Sequence, residues 1–88
     1  MPHVVAVLGR GVVDADEPVV TADDLGLTRG DGCFDSARVL TDAVGTGRVV
    51  GLDEHLARLA SSAVALDLAN PPREQWRALV AEAVAAWS

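Results

Sequence analysis

Residues 29–40, RGDGCFDSARVL, hold the key to how this chain folds. Two glycines, Gly30 and Gly32, bracket Asp31 and run straight into an alternating stretch. Glycine lets a backbone turn sharply or approach something bulky, and alternation throws every second side chain to one side. On that spacing residues 33–40 read as a β-strand with Phe34, Ser36 and Arg38 on one face and Cys33, Asp35 and Ala37 on the other. Cys33 and Ala37 suit a core; Asp35 between them does not. A ring, a hydroxyl and a guanidinium pack a core badly but make a good wall for a flat, anionic ligand. The plainer alternative is a structural turn followed by one face of a half-buried strand. No Gly-Lys-Ser/Thr follows the glycines, so they are not a phosphate loop of the P-loop kind.

Upstream, residues 4–8 (VVAVL) read as a buried strand, and Gly9-Arg10-Gly11 as a tight turn into a second short strand, VVDAD. Residues 17–24 are acidic and irregular, and residues 25–32 (LGLTRGDG) form a loop with glycine bends. Downstream, Gly45-Thr46-Gly47 makes a hairpin loop and RVVGL the returning strand. Leu52, Leu56, Leu59, Ala63 and Leu66 then recur at helical spacing, starting near Asp53, a good N-terminal residue. Asn70-Pro71-Pro72 breaks the chain, with Pro72 suited to the first turn of a second helix. There the apolar stripe is Trp76, Leu79, Val80, Ala83 and Trp87. Strands first and helices second imply an α+β fold: a two-layer domain with an antiparallel sheet of about four strands and two helices on one face. Residues 1–88 make one domain, without internal repeat or linker. No glycine cap or basic residue follows the second stripe, so the chain is expected to be cut rather than completed.

Half of the 88 residues are hydrophobic, a globular composition, although a domain this small buries only about 60–65% of its unfolded surface. The formal net charge of −6 argues against a nucleic-acid partner, which needs clustered cations. No apolar run reaches the ~18 residues of a membrane span, and MPHVVAVLG lacks the basic start of a secretory signal. One cysteine forms no internal disulfide, in keeping with a cytoplasmic setting. All seven positive charges are arginines. Schiff-base chemistry needs a lysine amine, so this chain alone cannot perform it and is expected to be inactive.

Arg58 lies off the leucine stripe, where its plain role is a solvated i,i+4 partner of Glu54. His55 stands at the edge of that stripe. With His3 as the only other histidine, no metal-ligand spacing arises. Ser61-Ser62 reads as helix surface, and no Ser-His-Asp or Cys-His arrangement is legible.

LTRGDGCFDSARV (residues 27–39), followed after a hairpin by LDEHLARLASSAVALDL (52–68), resembles the N-terminal domain of the class IV (fold type IV) pyridoxal-phosphate enzymes. That family includes branched-chain and D-amino-acid aminotransferases and 4-amino-4-deoxychorismate lyase. Its pattern is Gly-Asp-Gly-x-aromatic-Glu, a hairpin, then Leu-x-x-His-Leu-x-Arg-Leu with Ser-Ala shortly after. The resemblance spans roughly residues 4–70, with both blocks in the right order.

The resemblance implies that Arg58 binds the phosphate of pyridoxal 5'-phosphate, a task its fork of donors suits. It implies a substrate pocket walled by Phe34, with Ser36 and Arg38 facing the same way. It places the catalytic lysine, the acid on the pyridine nitrogen and much of the phosphate cup in a second domain, so no catalytic residue falls in these 88. It also implies a homodimer with an amino acid or aminodeoxychorismate as substrate. Asp35 departs from the pattern as a shorter acid than the usual glutamate. Gly-Asp-Gly-Cys-Phe-x-Ser-Ala-Arg looks most like the lyases, which release pyruvate and leave 4-aminobenzoate, a folate precursor. A branched-chain or D-amino-acid aminotransferase is the alternative reaction. A non-catalytic interaction module that keeps the fold is the alternative role.

Overall fold

The computed structural model describes residues 3–30 and 32–87. Strands β1 (Val5–Val7) and β2 (Gly11–Val13) pair antiparallel, with Val5 opposite Val13 and Val7 opposite Gly11. The Arg10 N–H donates to the Val7 carbonyl at 2.9 Å and closes the turn. An exposed ion pair between Arg10 and Glu17 ties that turn to the acidic segment. A single helical turn, α1 (Leu25–Thr28), interrupts the expected loop. Asp24 starts it, its carboxylate accepting from the Gly26 N–H at 2.8 Å.

Strands β3 (Val39–Thr41) and β4 (Gly47–Val49) form a second antiparallel hairpin, with Leu40 opposite Arg48. Asp42 builds its turn: one carboxylate oxygen accepts from the N–H groups of Val44 at 3.0 Å and Thr46 at 2.9 Å. The expected strand over 33–40 is therefore realised only at its end. The Val50 N–H still reaches the Arg38 carbonyl at 2.8 Å, but residues 32–38 pair with no strand among the described residues. The fold is α+β as expected, with the four strands among the described residues divided between two separate two-stranded sheets.

Helix α2 (Leu52–Ala65) and helix α3 (Arg73–Trp87) follow. Helix α3 packs against β1, β2 and β4, so it is the element that joins the two hairpins. An ion pair between Arg77 and Asp53 links α3 to the first turn of α2. The Trp76 indole N–H donates to the Asn70 side-chain oxygen at 3.1 Å, anchoring α3 to the proline break. Leu56 and Ala63, two members of the predicted leucine stripe, form the buried core among the described residues.

That core is thin. The chain exposes 6556 Å², against about 4,900 Å² for a compact monomer of its mass. Its radius of gyration is 14.1 Å, where a compact domain of this length has about 12 Å.

Candidate functional site

Helix α2 carries the site because its period puts His55 and Arg58, three residues apart, on one flank while Leu56 turns inward. Gly51 sets where that helix begins. It adopts φ +64°, a left-handed conformation that disfavours a Cβ, and its carbonyl accepts the His55 N–H at 3.0 Å. The helix starts near Asp53 as expected, with Asp53 in its first turn beside Glu54, where negative charge meets the positive end of the helix dipole.

Opposite this flank runs the segment from Gly32 to Arg38. Without being a strand it keeps the predicted alternation over 33–36, with Cys33 and Asp35 half-buried and Phe34 and Ser36 exposed, but Ala37, expected to face a core, is exposed. Gly30 takes φ +69° ahead of it, which accounts for a glycine there. Asp31, between the two glycines, lies outside the described residues. The inward course of the segment delivers Asp35 to the helix.

Arg58 donates through Nε to Asp35 Oδ2 at 3.0 Å and through Nη2 to Oδ1 at 2.9 Å, a two-bond fork on one carboxylate. His55 Nδ1 lies 2.7 Å from the same Oδ1. The Arg58 hydrogen bond first, and His55 second, hold the Asp35 carboxyl down to about 2. Asp35 is thus an ionised, acceptor-only group, and Nδ1 must carry the hydrogen that points at it. It follows that the 2.7 Å approach of Arg58 Nη2 to Nδ1 is a contact between two donors converging on one oxygen. Asp35 in turn raises Arg58 above its already high ordinary value.

The Asp35 side chain is 18% exposed and that of Arg58 is 65% exposed. The acid is the inner member, and the arginine reaches from it toward solvent. The i,i+4 pairing of Arg58 with Glu54 gives way to this arrangement, in which the Nε–Nη2 edge is held by Asp35. Glu54 acts on Arg58 only at longer range.

The other expected pocket residues separate. Ser36 and Arg38 line an open depression together with Ala37, Val50 and His55. Phe34 is 89% exposed and lines neither that depression nor the apolar groove beside it. That groove, about 340 Å³, runs between the second hairpin, α2 and α3, with Leu56, Leu59, Trp76 and Val80 on its walls and Asp35 and His55 at its rim. So Asp35 and His55 join Arg58 to the Ser36–Arg38 side. Neither was singled out as a site residue from sequence. The signals for them were an acid on an otherwise apolar face and a His-x-x-Arg spacing on a helix.

The chain is 36% identical over 83 residues to the bifunctional aminodeoxychorismate lyase / D-amino acid transaminase of Mycobacterium tuberculosis. The match covers 94% of this chain and 27% of that protein, so the chain spans about a quarter of its relative's length. No family model matches the chain. No solved structure matches it significantly. The similarity to the mycobacterial enzyme supports the class IV resemblance over this region.

Proposed function

We propose that this chain is the small N-terminal domain of a pyridoxal-phosphate-dependent class IV enzyme, acting as a 4-amino-4-deoxychorismate lyase. The observation that carries the reading is Arg58, anchored by one edge on the His-Leu-x-Arg-Leu helix. Asp35 occupies Nε and Nη2, while Nη1 has no protein partner among the described residues. The remaining donors, on a side chain 65% exposed, fit one face of a phosphate group. The cofactor, when bound, supplies the electron sink that stabilises a carbanion next to the substrate's amino group.

In this reading Arg58 holds the cofactor phosphate, and Ser36 and Arg38 face the carboxylate-rich substrate from the adjoining depression. Phe34 stands ready to be covered by the rest of the enzyme. The lysine that chemistry requires belongs to a second domain, since these 88 residues contain none. The mycobacterial relative pairs lyase and D-amino acid transaminase in its name, so transamination of a D-amino acid is the second reading. Assaying the two-domain enzyme with aminodeoxychorismate, and separately with a D-amino acid and a 2-oxo acid, distinguishes them.

Arg58→Ala tests the site itself. Losing a charged, two-bond phosphate contact costs roughly 1.5–3 kcal/mol, or about 10- to 100-fold in cofactor affinity. Arg58→Lys keeps the charge without the fork and falls between. Dialysis followed by cofactor absorbance reads the difference. Equal retention in wild type and both variants would remove Arg58 from the site.

A further inference from the structure

We propose that Asp35 is the positioning residue of this site: it grips the Nε–Nη2 edge of Arg58 and thereby holds the opposite edge of the guanidinium out toward a phosphate monoester. The proposal rests on the reading of Arg58 as a phosphate ligand and adds how that ligand is aimed. An unheld arginine on a helix flank samples many rotamers and loses that freedom on binding. A carboxylate on a short, half-buried stem removes much of it beforehand.

A carboxylate on an arginine has a rival meaning, that of an internal anion standing where a phosphate would go. The geometry opposes it. Asp35 uses the side edge, through Nε at 3.0 Å and Nη2 at 2.9 Å, and Nη1 has no described protein partner. Its two oxygens receive three donors, with the 2.7 Å contact to His55 Nδ1 as the third. A carboxylate so engaged is the fixed member of the pair. Arg58, with 65% of its side chain exposed, is the member that can face a ligand. His55 contributes by pinning Oδ1, so it steadies Arg58 through Asp35.

The test uses the chain labelled with ¹⁵N-arginine and inorganic phosphate as the probe. In wild type the Arg58 Nε–H signal exchanges slowly with water. Phosphate shifts the guanidinium resonances while that Nε–H stays protected, because Asp35 remains in place. Asp35→Asn replaces an acceptor with an amide that faces three donors; protection is lost and phosphate affinity falls about tenfold, the lower end of what a metal ligand loses with its outer-shell partner. Asp35→Glu restores the carboxylate and most of both properties. Phosphate binding as tight or tighter in Asp35→Asn would overturn the proposal in favour of a competing internal anion. Loss of Nε–H protection on adding phosphate to wild type would do the same, and needs no folded variant. If phosphate shifts no arginine signal in wild type, the phosphate reading of Arg58 fails and the positioning role falls with it. Wild-type binding with an indifferent Asp35→Asn removes the positioning role alone.

Discussion

Asp35 shows how a single side chain can look misplaced in a sequence and be well placed in space. Between Cys33 and Ala37 it sits where a core residue belongs, and burying a lone carboxylate is costly. Arg58 and His55 supply three donors at its two oxygens and offset that cost. The consequence is measurable in acid. The folded carboxyl is held at about 2, below its ordinary 3.8. Its contribution to stability is therefore complete above pH ~4 and disappears as pH falls through about 2. Urea unfolding of wild type and Asp35→Asn should differ by a constant amount from neutral pH down to pH ~4, and the curves should converge near pH 2. A difference that persists unchanged to pH 2 would mean that the charge of Asp35 stabilises nothing.

Helix α2 is the element on which both core and site depend, and its two ends are built differently. At its C-terminus Leu68 N–H donates to the Ala63 carbonyl at 2.8 Å and Asp67 N–H to that of Val64 at 3.1 Å. These bonds close the last turn, with Asp67 in the left-handed region at φ +54°. Glycine adopts that conformation without the Cβ penalty, so Asp67→Gly should stabilise the protein by roughly 0.5–1 kcal/mol. Unchanged or lower stability would show that the bend is not strained. In the middle of the helix Leu56, 8% exposed, carries the packing. Leu56→Ala should cost about 2–3 kcal/mol, the lower part of the range for core leucines, because the surrounding core is thin. Val64, 80% exposed on the same helix, should tolerate alanine to within about 0.5 kcal/mol. Equal costs at the two positions, measured by urea unfolding, would mean that the inward face of α2 is misassigned.

At the scale of the molecule the dominant fact is surface. The chain exposes about a third more area than a compact protein of its mass, and Phe34, Val44, Leu27 and Trp87 are among the large apolar side chains left open. Patches of that kind favour association. The excess is about twice the ~800 Å² that each partner contributes to a standard protein–protein interface. We expect the isolated chain to self-associate, and sedimentation giving a clean monomer at ~100 µM would count against this. No helix among the described residues is long and apolar enough to cross a membrane.

Local patterns were sufficient where local forces decide. Leucine spacing marked α2, the two prolines marked the break before α3, and glycine-bearing turns marked both hairpins. Two motif blocks were enough to single out Arg58 and the class IV resemblance. The division of the strands into two sheets was not legible, because alternation states which way side chains point and not whether a neighbouring strand arrives to pair. Alternation likewise grouped Phe34 with Ser36 and Arg38, whereas their separation depends on how residues 32–38 lie against α2. The partner of Arg58 was equally hidden. On the helix Glu54 is its neighbour by spacing, but the acid that holds it comes from 23 residues earlier in the chain. Only tertiary packing brings Asp35 there, since an ion pair depends on distance in space and a half-buried carboxylate must find its donors wherever the fold delivers them.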